Sequence, residues 1–286
     1  MKSLQQSATE LSLPREIEPA GLGEVVIHET AIVNPGAELG AGVKVGAFSI
    51  IGPDVRIGDG CVIEPHAIIE PFTTVGDNCR ICSGVILGGQ PQDHKFKGER
   101  SFLTVGNNNI IREYVTIHRA TGLDSHTTIG SDNMLMAYCH IGHNCHLGSG
   151  IMMANMVGIS GHVIIEDKVV FGGMVGVHQF VRIGKLAMIG GYSKIVQDVP
   201  PFAMVDGRPA KVYDLNVIGL RRSGVSPNVR NGLRQAYKLL YRSNLNLSQA
   251  VENIESEIEP SPERDYLLEF IRSVKVGFAG RQLDRR

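Results

Sequence analysis

Histidine is the side chain best suited to chemistry in this sequence, and half of its copies are clustered. Of the ten histidines, five lie within one stretch of the chain: His140, His143, His146, His162 and His178. His140 and His146 are six residues apart, so we expect them at equivalent places on successive turns of a repeat, with His143 between them. A zinc site needs three convergent ligands, whereas acid–base catalysis needs one imidazole near a hydroxyl. The spacing leaves metal ligation, acid–base catalysis and plain surface polarity open.

The chain that must position these imidazoles repeats an aliphatic residue at every sixth position. Between Ile27 and Ile195, 27 of the 29 positions in this phase are apolar, and only Asp93 and Glu99 are not. Neither a helix of 3.6 residues per turn nor an alternating strand produces a strict period of six. The pattern predicts a mainly β protein, a hexapeptide-repeat β-helix built from short strands and corners. Glycine often follows the apolar residue, as at Gly142, and we expect it to supply tight or positive-φ corners.

Breaks in this period divide the chain into three predicted segments and an inserted loop. Residues 1–24 are an N-terminal extension without the apolar stretch of a signal peptide or membrane span. Residues 25–206 are predicted to form the β-helix and residues 207–286 a helical domain. The polar stretch at residues 88–103 is predicted to be a loop that leaves the coil, and a weaker loop signal lies at residues 120–126.

Three amphipathic helices are predicted within the last segment. The first begins at Ser226 and Pro227, the second spans residues 247–258, and the third spans residues 262–274. The formal net charge of −1 gives no indication of nucleic-acid binding, and no segment predicts stable membrane insertion. An odd number of cysteines, five, fits a reduced, cytoplasmic protein.

Several longer strings are specific enough to compare with a known family. They are TIHRATG (116–122), AYCHIGHNCHLG (137–148), GISGHV (158–163), GGMVGVHQF (172–180), GGYSKIVQDVPP (190–201) and QAYKLLYRS (235–243). These strings closely resemble the UDP-N-acetylglucosamine 3-O-acyltransferases. The resemblance implies a left-handed parallel β-helix, an exception to the usual right-handed crossover, and a homotrimer with active sites between adjacent coils. It implies no metal or other cofactor. The implied reaction moves an R-3-hydroxyacyl chain from acyl carrier protein to the sugar 3-hydroxyl of UDP-N-acetylglucosamine (UDP-GlcNAc), the first step of lipid A biosynthesis.

The resemblance also implies roles for individual residues. His143 matches the general base that takes the proton from the sugar hydroxyl, and the Gly161 backbone N–H matches the oxyanion donor. The positions that match sugar- and phosphate-side contacts are Gln92, Asp93, Lys95 and His140. Those that match acyl-chain or nucleotide contacts are His162, His178 and Gln179. Asn216 and Arg222 match a nucleotide-binding pair, in which a guanidinium suits phosphate oxygens.

Three positions depart from the family pattern. Asn144 follows the base where relatives often have an acidic residue, although an amide oxygen can still hold the imidazole N–H. Ile218 stands in place of a glutamate and Ser223 in place of a second arginine, so a modified acceptor such as a 3-amino sugar nucleotide stays open. Gly191 occupies the position that limits acyl length in relatives, and its missing side chain implies a long groove.

Three other functions are considered beside the O-acyltransferase. A related N-acyltransferase of the same pathway usually carries an N-terminal uridine-binding domain, for which a repeat starting near residue 27 leaves no room. A metal-dependent hydratase like the γ-class carbonic anhydrases would use His140, His143 and His146. A non-catalytic binding solenoid requires neither the imidazole cluster nor the polar Asp93 in an apolar position.

Overall fold

The computed structural model describes residues 23–274, 277 and 279–284, so residues 1–22 of the predicted N-terminal extension lie outside the described part.

Most of the described strands are two residues long, and they form three sheets. The first sheet contains β1 (Val26–Ile27), β4 (Lys44–Val45), β7 (Val62–Ile63), β10 (Arg80–Ile81), β13 (Ile110–Ile111), β16 (Met134–Leu135), β19 (Met152–Met153), β22 (Val170–Phe171), β25 (Met188–Ile189), β27 (Ala203–Gly207) and β28 (Ala210–Leu215). The second contains β2 (Ile32–Val33), β5 (Ile50–Ile51), β8 (Ile68–Ile69), β11 (Ile86–Gly89), β14 (Thr116–His118), β17 (His140–Ile141), β20 (Gly158–Ile159), β23 (Gly176–Val177) and β26 (Lys194–Ile195). The third contains β3 (Glu38–Leu39), β6 (Arg56–Ile57), β9 (Thr73–Val75), β12 (Phe102–Val105), β15 (His126–Ile129), β18 (His146–Leu147), β21 (Ile164–Ile165) and β24 (Arg182–Ile183).

Each turn of the coil places one strand in each sheet. Ile51 of β5 pairs in parallel with Ile69 of β8, and a regular turn therefore takes 18 residues, as the contact from Asp59 to the Ala41 N–H also indicates. The strand pairs are parallel except for β27 and β28, which form an antiparallel hairpin. The left-handed parallel β-helix with a small C-terminal helical domain, expected from the resemblance, is confirmed.

The apolar residue of each six-residue unit points into the coil. Ile69, Ile111 and Ile141 are each 0% exposed, and each stacks on its counterpart in the next turn. Burying a side chain of this size contributes about 1.5–3 kcal/mol, so the stacked rows form one continuous core. Leu123 keeps the phase in the sequence but is 71% exposed, because it lies in a loop between β14 and β15.

Of the two causes expected for the glycine that follows the apolar residue, tight corners and positive φ, the structure supports the first. Gly142 is not in the left-handed region; a Cβ atom there would lie 2.8 Å from the backbone nitrogen of Gly161 in the next turn. The positive φ angles fall at another corner position, which holds glycine in some units, as at Gly150 with 68°, and residues with side chains in others, as at Tyr138 with 63° and Asn144 with 57°. Tight stacking of turns therefore requires the glycine after the apolar residue, while the left-handed position accepts glycine and other residues alike.

Two loops interrupt the coil without changing its phase. Asp77 and Asn107, on successive turns, are 30 residues apart, and Asn107 and Ser131, on the following turns, are 24 apart. The first loop joins β11 to β12 and occupies residues 90–101, slightly less than the predicted segment 88–103. The second joins β14 to β15 and occupies residues 119–125. Compared with a regular turn of 18 residues, the first loop adds two six-residue units and the second loop adds one.

The expected placement of two histidines is wrong. His140 lies in β17 of the second sheet, whereas His146 lies in β18 of the third sheet. Six residues advance the chain by one face of the coil, and only 18 advance it by one turn. The side chain of His146 contacts Thr128 at 2.8 Å on that other face, away from His140.

The C-terminal helices cover the end of the coil. Helix α1 is Val217–Arg222, α2 is Pro227–Tyr241, α3 is Leu247–Glu257 and α4 is Pro262–Val274. The three predicted helices are confirmed as α2, α3 and α4, whereas α1 has no counterpart among the predictions. Ser226 caps α2 by accepting the Val229 N–H, with proline at the first helical position, as its sequence indicates. Strand β28 pairs with β27 and contacts α2, so the last edge of the first sheet is covered.

Candidate active site

A cleft lies over the second sheet near the end of the coil. Its floor follows the outward positions of β17, β20, β23 and β26, which are His140, Gly158, Gly176 and Lys194. A Cβ atom added at Gly158 or Gly176 would meet nothing within 4 Å, so the two glycines leave exposed backbone where side chains would otherwise stand. The cleft encloses about 490 Å³ and is also lined by Gln92, His118, His143, Gly161, His178 and Gln179.

His143 lies at the corner that follows β17 and borders this cleft. Only 7% of the residue is exposed, and its ring packs edge-on against His162 with centroids 5.1 Å apart. Its Nδ1 lies 2.8 Å from Oδ1 of Asn144. One ring nitrogen is thus held by the protein, which leaves Nε2 to face the cleft.

The orientation of the Asn144 amide determines which nitrogen of His143 carries the proton. Asn144 Nδ2 donates to the Thr121 carbonyl at 3.0 Å, and Oδ1 accepts the Thr121 N–H at 3.0 Å. Because both amide atoms are assigned by the Thr121 backbone, the atom beside His143 is an acceptor, so Nδ1 must donate. The neutral ring then has its lone pair on Nε2, as a general base requires.

Asp93 comes from the first loop and approaches the same ring. One carboxylate oxygen lies 4.0 Å from Nε2 of His143, and the Lys95 backbone N–H donates to the other at 2.9 Å. That N–H bond is the main cause that lowers the pKa of Asp93, and the nearby imidazole adds to it. The polar residue that breaks the six-residue pattern therefore places a negative charge beside the candidate base.

Gly161 lies on the turn after His143 and is close to its ring. A Cβ atom at Gly161 would lie 2.6 Å from Nε2 of His143, so only glycine fits without displacing the ring. Among the described residues, no acceptor takes the Gly161 N–H. A fixed, unpaired N–H beside a base can stabilise the oxyanion of a tetrahedral intermediate.

The neighbouring imidazoles are kept neutral by burial. Burial lowers the pKa of His118 to about 4, and the nearby His140 and His143 add to the shift. Burial likewise lowers the pKa of His140 and of His162. His140 is held by Thr116 at 2.8 Å, whereas Nδ1 of His118 has no hydrogen-bond partner among the described residues. Near neutral pH these three rings offer uncharged donors and acceptors to a ligand.

The predicted site residues divide into those that border the cleft and those that do not. The ones that line it are Gln92, His140, His143, Gly161, His178 and Gln179. Asp93, Asn144 and His162 contact His143 directly. Lys95 contributes a backbone bond to Asp93, and Gly191 lies beside Gly173, away from the lining. Asn216 caps α1, and Arg222 is the last residue of that helix, so this chain does not bring them to the cleft. Ile218 and Ser223 lie on and just after the same helix, and Ile218 is exposed.

Sequence reasoning missed several residues of the cleft, among them His118, Gly158, Gly176 and Lys194. His118 was quoted within a family string without a role, yet it is 7% exposed and edge-on to His140. Gly158 and Gly176 were not singled out either, although their spacing equals one turn and marks a strip without side chains. Reading the sequence in steps of one turn, instead of one unit, would have found both glycines.

The metal-site hypothesis does not fit this geometry. His146 faces another sheet than His140, and among the described residues no group of three or more His, Cys, Asp or Glu side chains is arranged to hold a metal ion. Separately, none of the described helices is both long and apolar enough to cross a membrane.

Known proteins resemble both halves of this chain. A family described as "Bacterial transferase hexapeptide (six repeats)" matches residues 54–89 and 126–161, and "Udp N-acetylglucosamine O-acyltransferase; Domain 2" matches residues 198–279. The acyl-[acyl-carrier-protein]--UDP-N-acetylglucosamine O-acyltransferase of Burkholderia orbicola is 48% identical over 88% of this chain and 98% of its own length. The protein of the same name from Gloeothece citriformis is 50% identical over 62% of this chain, and the match spans only 64% of that relative.

A solved structure supports the same relationship. The structure of LpxA from Acinetobacter baumannii superposes with a TM-score of 0.83 at 44% identity, over 86% of this chain and 96% of its own. The superposition therefore spans both the β-helix and the helical end of this chain in a relative of nearly full length. From these similarities we conclude that the chain belongs to the UDP-N-acetylglucosamine O-acyltransferase family.

Proposed function

We propose that this chain transfers an R-3-hydroxyacyl group from acyl carrier protein to the 3-hydroxyl of UDP-GlcNAc, the first step of lipid A biosynthesis. One observation carries the proposal: His143 has Nδ1 held by Asn144 while Nε2 borders a cleft beside the Gly161 N–H, which has no acceptor within the described part of the chain. The names of the relatives supply the substrates. The five free cysteines support a cytoplasmic location.

The proposed mechanism uses this geometry in two steps. Nε2 of His143 takes the proton of the sugar hydroxyl as its oxygen attacks the thioester carbon. The negative charge that develops on the carbonyl oxygen is stabilised by the Gly161 N–H. The intermediate then collapses, the carbon–sulfur bond breaks, and the imidazolium returns the proton to the leaving thiolate. The carboxylate of Asp93, 4.0 Å from Nε2, places a negative charge near the ring that carries the proton between the steps.

We further propose that the enzyme is a homotrimer in which the cleft is completed by an adjacent chain. Asn216 caps α1 and Arg222 ends it, both outside the cleft of their own chain, so nucleotide contacts from them require another subunit or a different pose. Sedimentation measures the assembly directly. Arg222→Ala is expected to raise KM for UDP-GlcNAc more than it lowers kcat, because a phosphate contact acts on binding.

The decisive experiment measures acyl transfer from acyl carrier protein to UDP-GlcNAc by mass spectrometry. His143→Ala should lower kcat by about 10²–10⁴-fold, the usual contribution of a positioned general base. His146→Ala is the matched control, because this imidazole faces the third sheet and should leave the rate unchanged. Equal rates for wild type and His143→Ala would contradict the assignment. The mass and linkage of the product also distinguish an ester from the amide that a 3-amino acceptor or an N-acyltransferase would give.

A further inference from the structure

Glu99 is the second polar interruption of the six-residue pattern, and its carboxylate joins the two loops. One oxygen accepts the Gly122 N–H at 2.8 Å and the Thr121 hydroxyl at 3.1 Å. The other oxygen accepts the Lys97 N–H from its own loop at 2.8 Å. These bonds, the one from Gly122 first, lower the pKa of Glu99 to about 2, so the group is ionised at every pH at which the enzyme is assayed.

The second loop continues this connection to the candidate base. Thr121, held by Glu99 through its hydroxyl, uses its backbone N–H and C=O to hold both ends of the Asn144 amide, each at 3.0 Å. The Asn144 N–H in turn donates to the Thr127 hydroxyl at 2.8 Å. Asn144 Oδ1 then accepts from Nδ1 of His143 at 2.8 Å. An unbroken series of hydrogen bonds thus runs from Glu99 to His143.

A second carboxylate joins the same two loops without entering this series. Asp124 accepts from the Arg100 guanidinium, with Nε at 2.9 Å and Nη2 at 2.7 Å. Both side chains are more than half exposed, and their contact leads to neither Thr121 nor Asn144. Asp124 therefore provides an internal comparison, because it ties the loops together without reaching the base.

We propose that Glu99 is a positioning residue for His143: by holding Thr121 it fixes the Asn144 amide, and through that amide the Nδ1–H tautomer of the base. Glu99 touches neither the imidazole nor the cleft, so it acts through the other two residues. The inference rests on the proposed function insofar as His143 is the base. It goes beyond that function by giving a task to a residue outside the cleft.

The kinetic test compares Glu99→Ala with Asp124→Ala. We expect Glu99→Ala to lower kcat about tenfold, the lower end of what removal of a supporting hydrogen bond costs, with KM for UDP-GlcNAc changed less than twofold. Glu99→Gln keeps an acceptor oxygen and should recover most of the rate. Asp124→Ala should remain within about twofold of wild type, since an exposed ion pair contributes little. Equal losses in Glu99→Ala and Asp124→Ala would reduce the role of Glu99 to fastening a loop and overturn the proposal.

A double-mutant cycle tests whether the effect passes through Asn144. If Glu99 acts by that route, Glu99→Ala should change kcat by less than about twofold in an Asn144→Ala background, because the amide is already missing. Losses that multiply in the double variant would mean that the two residues act independently, against the proposal.

A spectroscopic readout keeps this question separate from the enzymatic activity. In protein labelled with ¹⁵N-histidine, His143, assigned by its loss in His143→Gln, should show a protonated Nδ1 in wild type and a mixture of tautomers in Glu99→Ala. Failure of wild type to transfer acyl groups would refute the proposed function, while the tautomer would still decide the role of Glu99. An unchanged tautomer in Glu99→Ala would overturn the inference.

Discussion

Replacement of Gly161 by alanine should move the imidazole of His143 and little else. The added Cβ would lie 2.6 Å from Nε2 and 2.7 Å from Cε1, whereas ordinary contact begins at 3.4 Å, so the atoms must separate by about 0.8 Å. Gly161 does not lie in the left-handed region, so alanine adds no backbone strain there. The N–H that would bind the oxyanion is retained.

The ring of His143 has little freedom to retreat. Its Nδ1 is bonded to Asn144 at 2.8 Å, the His162 ring packs edge-on at 5.1 Å, and only 7% of the residue is exposed. A misplacement of about 1 Å in a reacting group can cost about 10²-fold in rate. We therefore expect kcat of Gly161→Ala to fall about 10²-fold, equal to about 2.7 kcal/mol in the barrier.

The assay is steady-state acyl transfer, with circular dichroism to confirm that the variant folds. Gly36→Ala is the matched control, because its Cβ would have its nearest contact at 3.6 Å, an ordinary distance, and Gly36 lies far along the coil from β17. It should retain wild-type kcat. A Gly161→Ala enzyme with kcat within twofold of wild type would refute the reasoning, since it would mean that the base tolerates displacement or is not His143.

Three further outcomes are expected. Because burial holds the pKa of His118 at about 4, below its value of 6.5 when exposed, the unfolded chain binds the proton more readily. The free energy of unfolding should then fall by up to about 3 kcal/mol as pH drops from 6.5 to 4. In urea titrations, the free energy of unfolding of His118→Gln should fall less over that interval than that of wild type; equal decreases in the two proteins would contradict this. Gly158→Val puts its Cβ where no atom lies within 4 Å, so we expect an unchanged melting temperature and a KM for a substrate that rises about tenfold; unaltered KM values would show that the strip is not used. Tyr237→Phe removes the buried hydroxyl that donates to the Pro201 carbonyl, and should lower the free energy of unfolding by about 1–2 kcal/mol in denaturant titrations, with a wild-type value counting against that bond.

The period of six predicts a β-helix, although not its handedness, because the physical demand behind it is uniform. Every unit must place one apolar residue inside a narrow coil, so Ile69 and Ile141 are predictable from spacing alone. The same period does not by itself say which residues are neighbours, because neighbours are one turn apart and a turn takes three units. That is why the placement of His140 beside His146 failed.

From periodicity alone, the candidate site was predictable only where it follows the coil; Gln92 and Asp93 of the first loop were expected from the family resemblance instead. His143 and Gly161 are one turn apart, so their proximity follows from the register of the regular strands. The contacts of Glu99 with Thr121 and of Thr121 with Asn144 join two irregular loops, and no periodic pattern in the sequence encodes them. Hydrogen bonds between loops depend on the actual path of the backbone, which only the structure supplies.

Both loops emerge from the coil after a whole number of units, and the chain rejoins the stack in register. Length can therefore be gained or lost at these two places in steps of one unit while every inward residue keeps its partner above and below. The two loops and the coil are thus free to change separately in evolution. A loop of another length would alter which acceptor binds, while the side-chain packing inside the coil would stay the same.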